Sequence, residues 1–162
     1  MPNKARVFWP AALCLLLADC ASKRIVAERL TPSVPHDVLG SALRFTLAYN
    51  RGTAFGLAPG PTARAAVVLL TCGALAVLFG IYRRAAASDR LLALALGLTV
   101  GGALGNLTDR VRSANGVVDF IDAGAGPVRF WIFNVADVGV TTGALLLAFA
   151  FWKRGAVTLP EA

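Results

Sequence analysis

Asp19 and Lys23, then Asn106, Asp109 and Arg110, then Asn134 and Asp137 are polar residues set inside or at the rims of long apolar blocks. In "GNLTDR", Asn106 stands at i, i+3 and i, i+4 from Asp109 and Arg110, and in "FNVAD" Asn134 stands at i, i+3 from Asp137, so each set points one way on a helix. Asp137 lies six residues past Trp131, about 9 Å along a helix. With Trp131 at the interface, its carboxylate enters the hydrocarbon zone, where an ionisable group costs about 2.5–3.5 kcal/mol and marks function or tight pairing. Two carboxylates close together in a poorly hydrated site share one proton. The ionised member can then activate water while the protonated one polarises a carbonyl, which is amide hydrolysis without metal or covalent intermediate. Asp19, Asp109, Asp119, Asp122 and Asp137 are the carboxylates on offer, and physics alone does not choose the pair. An interfacial ion pair is the plain structural alternative for Asp109 and Arg110. Proton- or ion-coupled transport also uses intramembrane carboxylates.

Other chemistries lack their residues. There is no H-E-x-x-H and no cysteine or histidine cluster, which argues against a zinc hydrolase and leaves no metal or cofactor site. Ser22 and Lys23 are adjacent, so on a helix they point about 100° apart and cannot form a dyad. No glycine-rich phosphate loop opens a helix. Cys14, Cys20 and Cys72 are scattered and read as small core residues, and His36 as a solvated loop histidine.

The elements that must carry these residues are membrane helices. Of 162 residues, 57% are hydrophobic and 15% charged, with mean hydropathy +0.66, against about 25% charged in soluble domains. The expected fold is an α-helical membrane protein, one domain over residues 1–162, with four transmembrane helices near 7–30, 65–82, 91–108 and 131–152. The first block ends in "LLLADCASK", which imitates a lipoprotein leader, but Asp19 stands before Cys20 where a small residue belongs. The helix must instead run on through Asp19 and Lys23. The net charge of +7 resides in tails and short loops beside the spans, so the expected contact is anionic lipid rather than nucleic acid. Lys4, Arg6, Arg83, Arg84, Arg90, Lys153 and Arg154 crowd short segments on one side, which puts that side and both termini in the cytoplasm.

In "LRFTLAYN", Leu43, Phe45, Leu47 and Tyr49 alternate with smaller or polar residues, the period of a half-exposed strand. "NRGTAFGLAPGP" follows as a shaped turn. With alternating spans, this β element and loop, the 111–130 connection and all the polar span ends lie on one membrane face. The opposite loop, "RRAAASDR", offers nothing comparable. A transporter needs a polar path to both faces, and the second span offers only Thr71 and Cys72. Gly97, Gly101 and Gly105 repeat G-x-x-x-G on the third span and predict close helix packing.

"DCASK" (19–23), "NRGTAFG" (50–56), "GGALGNLTDR" (101–110), "GVVDFI" (116–121) and "FNVADVG" (133–139) resemble, in order and spacing, the motifs of lipoprotein signal peptidase, the type II signal peptidase of bacteria. The resemblance runs from the first span to the fourth. It implies an inner-membrane aspartyl peptidase, without cofactor, that cleaves prolipoproteins before their diacylglyceryl-modified cysteine. Asp119 and Asp137 match the catalytic dyad. Asn50, Asn106, Arg110, Asn134 and Ala136 match residues that position dyad and substrate, with Asp19, Lys23 and Asp109 holding the site together. The β element and the turn with Gly52 and Phe55 match an extracytoplasmic clamp over the lipidated peptide. Asp122 has no family role and reads as a solvated loop carboxylate. The resemblance further implies a monomer and sensitivity to globomycin-type inhibitors.

Overall fold

A computed structural model of the chain describes residues 3–51 and 61–157. Four long helices, α1 (Ala5–Arg29), α2 (Pro61–Arg84), α3 (Arg90–Arg112) and α4 (Val135–Val157), take up the apolar blocks. Each is long and apolar enough to cross a membrane. β1 (Pro35–Leu39) and β2 (Leu43–Asn50) lie between α1 and α2, and β3 (Val117–Ala125) and β4 (Val128–Arg129) between α3 and α4. These strands form one antiparallel sheet in the order β1-β2-β3-β4.

α3 is the central helix, packed against the other three. Its glycines set the spacing. A Cβ at Gly97 would stand 2.7 Å from the Phe8 carbonyl oxygen and one at Gly101 2.5 Å from that of Ala12, while one at Gly105 would collide with the Asp19 carboxylate. This four-residue stripe therefore faces α1. Gly102, off the stripe, turns to α4, where a Cβ would strike the Ala136 carbonyl. Such close backbone approach is the membrane mode of helix packing, and it draws α1, α3 and α4 together where Asp19, Asn106 and Asp137 lie.

The opposite end of the bundle is built from apolar packing and helix caps. Phe8 stacks on Tyr82 at 4.1 Å between ring centres, beside Leu92, Ala93 and Leu96. Lys4 Nζ donates to the Tyr82, Arg83 and Ala85 carbonyls at 3.0, 3.2 and 2.5 Å, satisfying acceptors that the end of α2 leaves open. Asp89 caps α3 by accepting the Leu92 N–H at 3.0 Å.

At the site end, the sequence showed one strand where the fold has four. The apolar face of the sheet is covered by the bundle: Leu47 and Phe120 pack with Val26 of α1, flanked by Leu30 and Val135. An irregularity between Phe45 and Ala48 breaks the alternation of β2, so neighbouring Thr46 and Leu47 are both buried.

α4 starts at Val135, later than the hydropathy boundary at Trp131, and there is a local reason. The Ile121 N–H donates to the Phe133 carbonyl at 2.8 Å and the Phe133 N–H to the Ile121 carbonyl at 3.1 Å, pulling this aromatic segment into a bridge with β3. Asp137 thus sits in the first helical turn and not about 9 Å down a span. The cysteines also differ from expectation: Cys14 and Cys72 are exposed on the outside of the bundle and Cys20 is half-buried.

Candidate active site

The start of α4 is the organising point. Asn134 immediately precedes the helix, and its side-chain oxygen accepts the Asp137 N–H at 2.9 Å. Asp137 Oδ2 in turn accepts the Asn134 N–H at 3.1 Å, a reciprocal capping box. A third N–H of this helix start, that of Ala136, donates to Asp19 Oδ1 of α1 at 2.8 Å. The free amides of a helix start are natural partners for carboxylates. Two of the three are taken up by aspartates from different helices, Asp137 and Asp19, and the third by the Asn134 side chain.

Lys23, one turn past Asp19, is buried and fully engaged. Its ammonium meets Asp19 Oδ2 at 2.8 Å and Asp109 Oδ2 at 2.9 Å, and donates to Asn106 Oδ1 at 2.9 Å. Three donors thus meet three acceptors. Asn106 relays this order, because its Nδ2 donates to Asp137 Oδ1 at 2.8 Å and its oxygen also accepts Asn134 Nδ2 at 3.1 Å. Asp109 reaches the sheet by accepting the Val118 N–H at 3.2 Å.

That contact places Asp119, the next residue on β3. Asn134 Nδ2 donates to Asp119 Oδ1 at 2.6 Å and lies 3.3 Å from the Val118 carbonyl. Asn50, at the end of β2, also hydrogen-bonds the Asp119 carboxylate. The strands approach closely here because Gly116, with φ +90°, leaves no Cβ to strike the Asn50 carbonyl. Asp119 and Asp137 line one open cleft of about 630 Å³, together with Asn50, Phe130, Trp131, Ile132, Phe133, Val138, Thr141 and Thr142. Burial, then the charge of Asp137, pushes the Asp119 carboxyl up to about 6, against the pull of its bonds from Asn134 and Asn50. Two carboxylates in a cleft of this kind, one of them keeping its proton up to about pH 6, can move protons to and from a bound carbonyl and a water.

The sequence-derived residues Asp19, Lys23, Asn50, Asn106, Asp109, Asp119, Asn134, Ala136 and Asp137 meet in this one network. Arg110 belongs to its edge: Nη1 donates to the Asn106 carbonyl at 3.2 Å, and the guanidinium lies within electrostatic reach of Asp119, Asp137 and Asp109. Among the described residues its buried Nε has no partner, and no ion pair joins it to Asp109. Gly52 and Phe55, with the rest of the clamp turn, lie outside the described residues. Asp122 corrects its reading as a solvated carboxylate, since it is buried, bound to Arg129 at 2.7 Å and to the Thr46 hydroxyl at 3.2 Å, and pins β2 to β3. Arg64 was not anticipated. Its Nε and Nη2 donate to the Arg110 and Val111 carbonyls at 2.6 and 3.0 Å, and nothing in the local sequence announces that contact.

Known proteins resemble this chain in sequence and fold. A family profile described as Signal peptidase (SPase) II matches residues 11–153. The lipoprotein signal peptidase of Streptomyces coelicolor is 39% identical over 157 residues, covering 93% of this chain and 72% of that protein. That of Halothermothrix orenii is 35% identical, covering 88% and 92%. A bacterial membrane enzyme solved by the in meso method at 2.3 Å resolution superposes with TM-score 0.82 at 29% identity, covering 94% of this chain and 91% of the other. Four membrane-length helices, the small sheet and the sequence match converge, and the chain belongs to the signal peptidase II family.

Proposed function

We propose that this chain is an intramembrane aspartyl endopeptidase that removes the signal peptide from diacylglyceryl-modified prolipoproteins, cutting just before the lipidated cysteine. The observation that carries the reading is the cleft shared by Asp119 and Asp137, whose carboxylates are joined through the side chains of Asn106 and Asn134. Asp119 holds the proton the pair shares. Asp137 takes a proton from water as the water oxygen attacks the scissile carbonyl carbon, and Asp119 gives its proton to the carbonyl oxygen. When the tetrahedral intermediate collapses, the C–N bond breaks, Asp137 passes its proton to the leaving amine and Asp119 recovers one from a hydroxyl of the intermediate, whose oxygen stays on carbon as the new carbonyl, so the dyad ends as it began. Lys23 and Arg110 supply the positive charge around the carboxylates, and activity is expected to survive EDTA.

The aromatic wall formed by Phe130, Trp131 and Phe133 suits a lipid-bearing residue at the interface. The concentration of Lys and Arg in short segments at the end opposite the cleft supports a bacterial inner-membrane location with both termini cytoplasmic and the cleft near the extracytoplasmic face. The reading takes the protein to be a monomer. A globomycin-type inhibitor would compete for the same cleft.

The test is cleavage of a purified prolipoprotein, with and without its diacylglyceryl cysteine, by the protein in detergent or bilayer. Cutting of the lipidated form alone, lost by more than about 10³-fold in Asp119→Asn and Asp137→Asn, is the expected result. Full activity in either variant would sink the dyad, and restoration by zinc of an EDTA-treated enzyme would sink the metal-free mechanism.

A further inference from the structure

We infer that Thr141, with Thr142 beside it, positions the substrate: the hydroxyls take up backbone hydrogen bonds of the signal peptide about two residues upstream of the scissile bond. This rests on the peptidase reading above and adds to it a second contact zone, deeper along α4.

The cleft does not end at the carboxylates. It continues along α4 past Val138 to Thr141 and Thr142, both exposed in its wall. Threonines deep in the other helices behave differently. Thr71, Thr99 and Thr108 fold their hydroxyls onto the carbonyls of Val67, Ala95 and Leu104 at 2.8, 2.9 and 2.7 Å, which is how a helix hides a hydroxyl from hydrocarbon. Among the described residues, neither Thr141 nor Thr142 makes such a bond or any other through its hydroxyl. Two open hydroxyls thus line a cleft on a stretch of helix whose neighbouring outward residues, Val138, Leu145 and Phe149, are apolar.

The occupant follows from what peptide cleavage requires. A peptide bond can be attacked only where the chain is unwound, and unwinding frees backbone N–H and C=O groups that hydrocarbon cannot satisfy. A hydroxyl can donate to one and accept from the other. Thr141 stands one turn beyond Asp137 on the same face, about 6 Å along the axis. An extended chain covers that distance in about two residues. Because α4 runs from the site end towards the opposite end of the bundle, those residues belong to the signal-peptide side of the cut.

The test uses the full-length protein and a synthetic lipidated precursor peptide, with single ester-for-amide replacements at the second and third positions upstream of the cut. Wild type is expected to lose about three- to tenfold in kcat/KM on one ester, the size of one hydrogen bond. Thr141→Val, or Thr141→Val with Thr142→Val, should lose a similar factor on the amide peptide, chiefly in KM, and show no further loss on the ester. Thr141→Ser should restore both the rate and the ester effect. Wild-type kinetics in the valine variants, or an ester penalty that persists in them, overturns the inference while leaving the peptidase reading intact. A wild-type enzyme that cuts no lipidated peptide overturns that reading and the inference with it.

Discussion

Asn134 and Asp137 close on each other across the first turn of α4, each accepting the other's backbone N–H, at 2.9 and 3.1 Å. The same two side chains also belong to the carboxylate network: Asn134 Nδ2 holds Asp119 at 2.6 Å and Asp137 Oδ1 is held by Asn106 at 2.8 Å. The helix start and the carboxylate pair are therefore one structure. A fraying of α4 would move Asp137, and any shift of Asn134 would release Asp119.

These two roles of Asn134 can be separated by substitution. Serine caps helices nearly as well as asparagine, but its hydroxyl is too short to bridge to Asp119. Asn134→Ser should keep thermal stability close to wild type while kcat falls by about 10²-fold, the scale of a misplaced catalytic group. Asn134→Ala should lose the same activity and about 1 kcal/mol of stability as well. Melting in detergent and single-turnover cleavage distinguish the two, and an Asn134→Ser enzyme with normal kcat would show that the bridge to Asp119 is dispensable.

Protonation of Asp119 predicts the pH profile. Its carboxyl is raised to about 6 in the fold, by burial and then by Asp137, from about 3.9 in an unfolded chain. Because the folded state binds this proton more tightly, the associated stabilisation is complete below about pH 4 and is lost as the pH rises through about 6. If the protonated form is the proton donor, kcat/KM of the free enzyme falls about tenfold per pH unit above this value, which belongs to the coupled pair. Bound peptide displaces water, so the corresponding limb of kcat should lie at higher pH. Rates measured across about pH 5–8 that showed no basic limb would contradict Asp119 as donor.

Much of this architecture was legible because its signals are local. The apolar blocks marked the four helices, the glycine stripe marked close packing, and the motifs in order marked residues that meet in one polar network. What escaped depended on distant partners. β3 reads "VVDFIDAGA", without clean alternation, and is a strand because β2, some seventy residues earlier, pairs with it. Asp122 looked solvated because Thr46 and Arg129, which bury it, come from other strands. The start of α4 was misplaced for a different reason: hydropathy sees "FWIF" as membrane, while Phe133 spends its backbone on Ile121. The spacing N-x-x-D in "NVAD" was a readable capping signature that fixes the start at Val135.

Lys23 should prove structural before it proves kinetic. Its ammonium separates Asp19 and Asp109, at 2.8 and 2.9 Å, with almost no exposure. Lys23→Met leaves those two carboxylates facing each other, and breaking a buried charge cluster in this way costs about 3–5 kcal/mol. Lower yield and a large drop in melting temperature are expected. Adding Asp109→Asn removes one of the two orphaned charges and should recover part of the loss. A Lys23→Met protein as stable as wild type would mean that water already screens the cluster.

Arg64 gives the sharpest test of how positioning reaches the site from outside it. It lies in the first turn of α2, which packs chiefly on α3, and its side chain forks onto the Arg110 and Val111 carbonyls in the last turn of α3. Those carbonyls have no intrahelical donors of their own. Arg110, whose backbone is held in this way, carries the guanidinium that lies within reach of both Asp119 and Asp137. Arg64→Ala frees the end of α3, and kcat should fall about tenfold or more while KM changes little, because the lost contact orients a site residue and touches no substrate. Arg64→Lys, which supplies charge and donors but no planar fork, should recover only part of the rate. Equal losses in kcat and stability, with no recovery by lysine, would reduce Arg64 to a helix clamp without influence on the carboxylates.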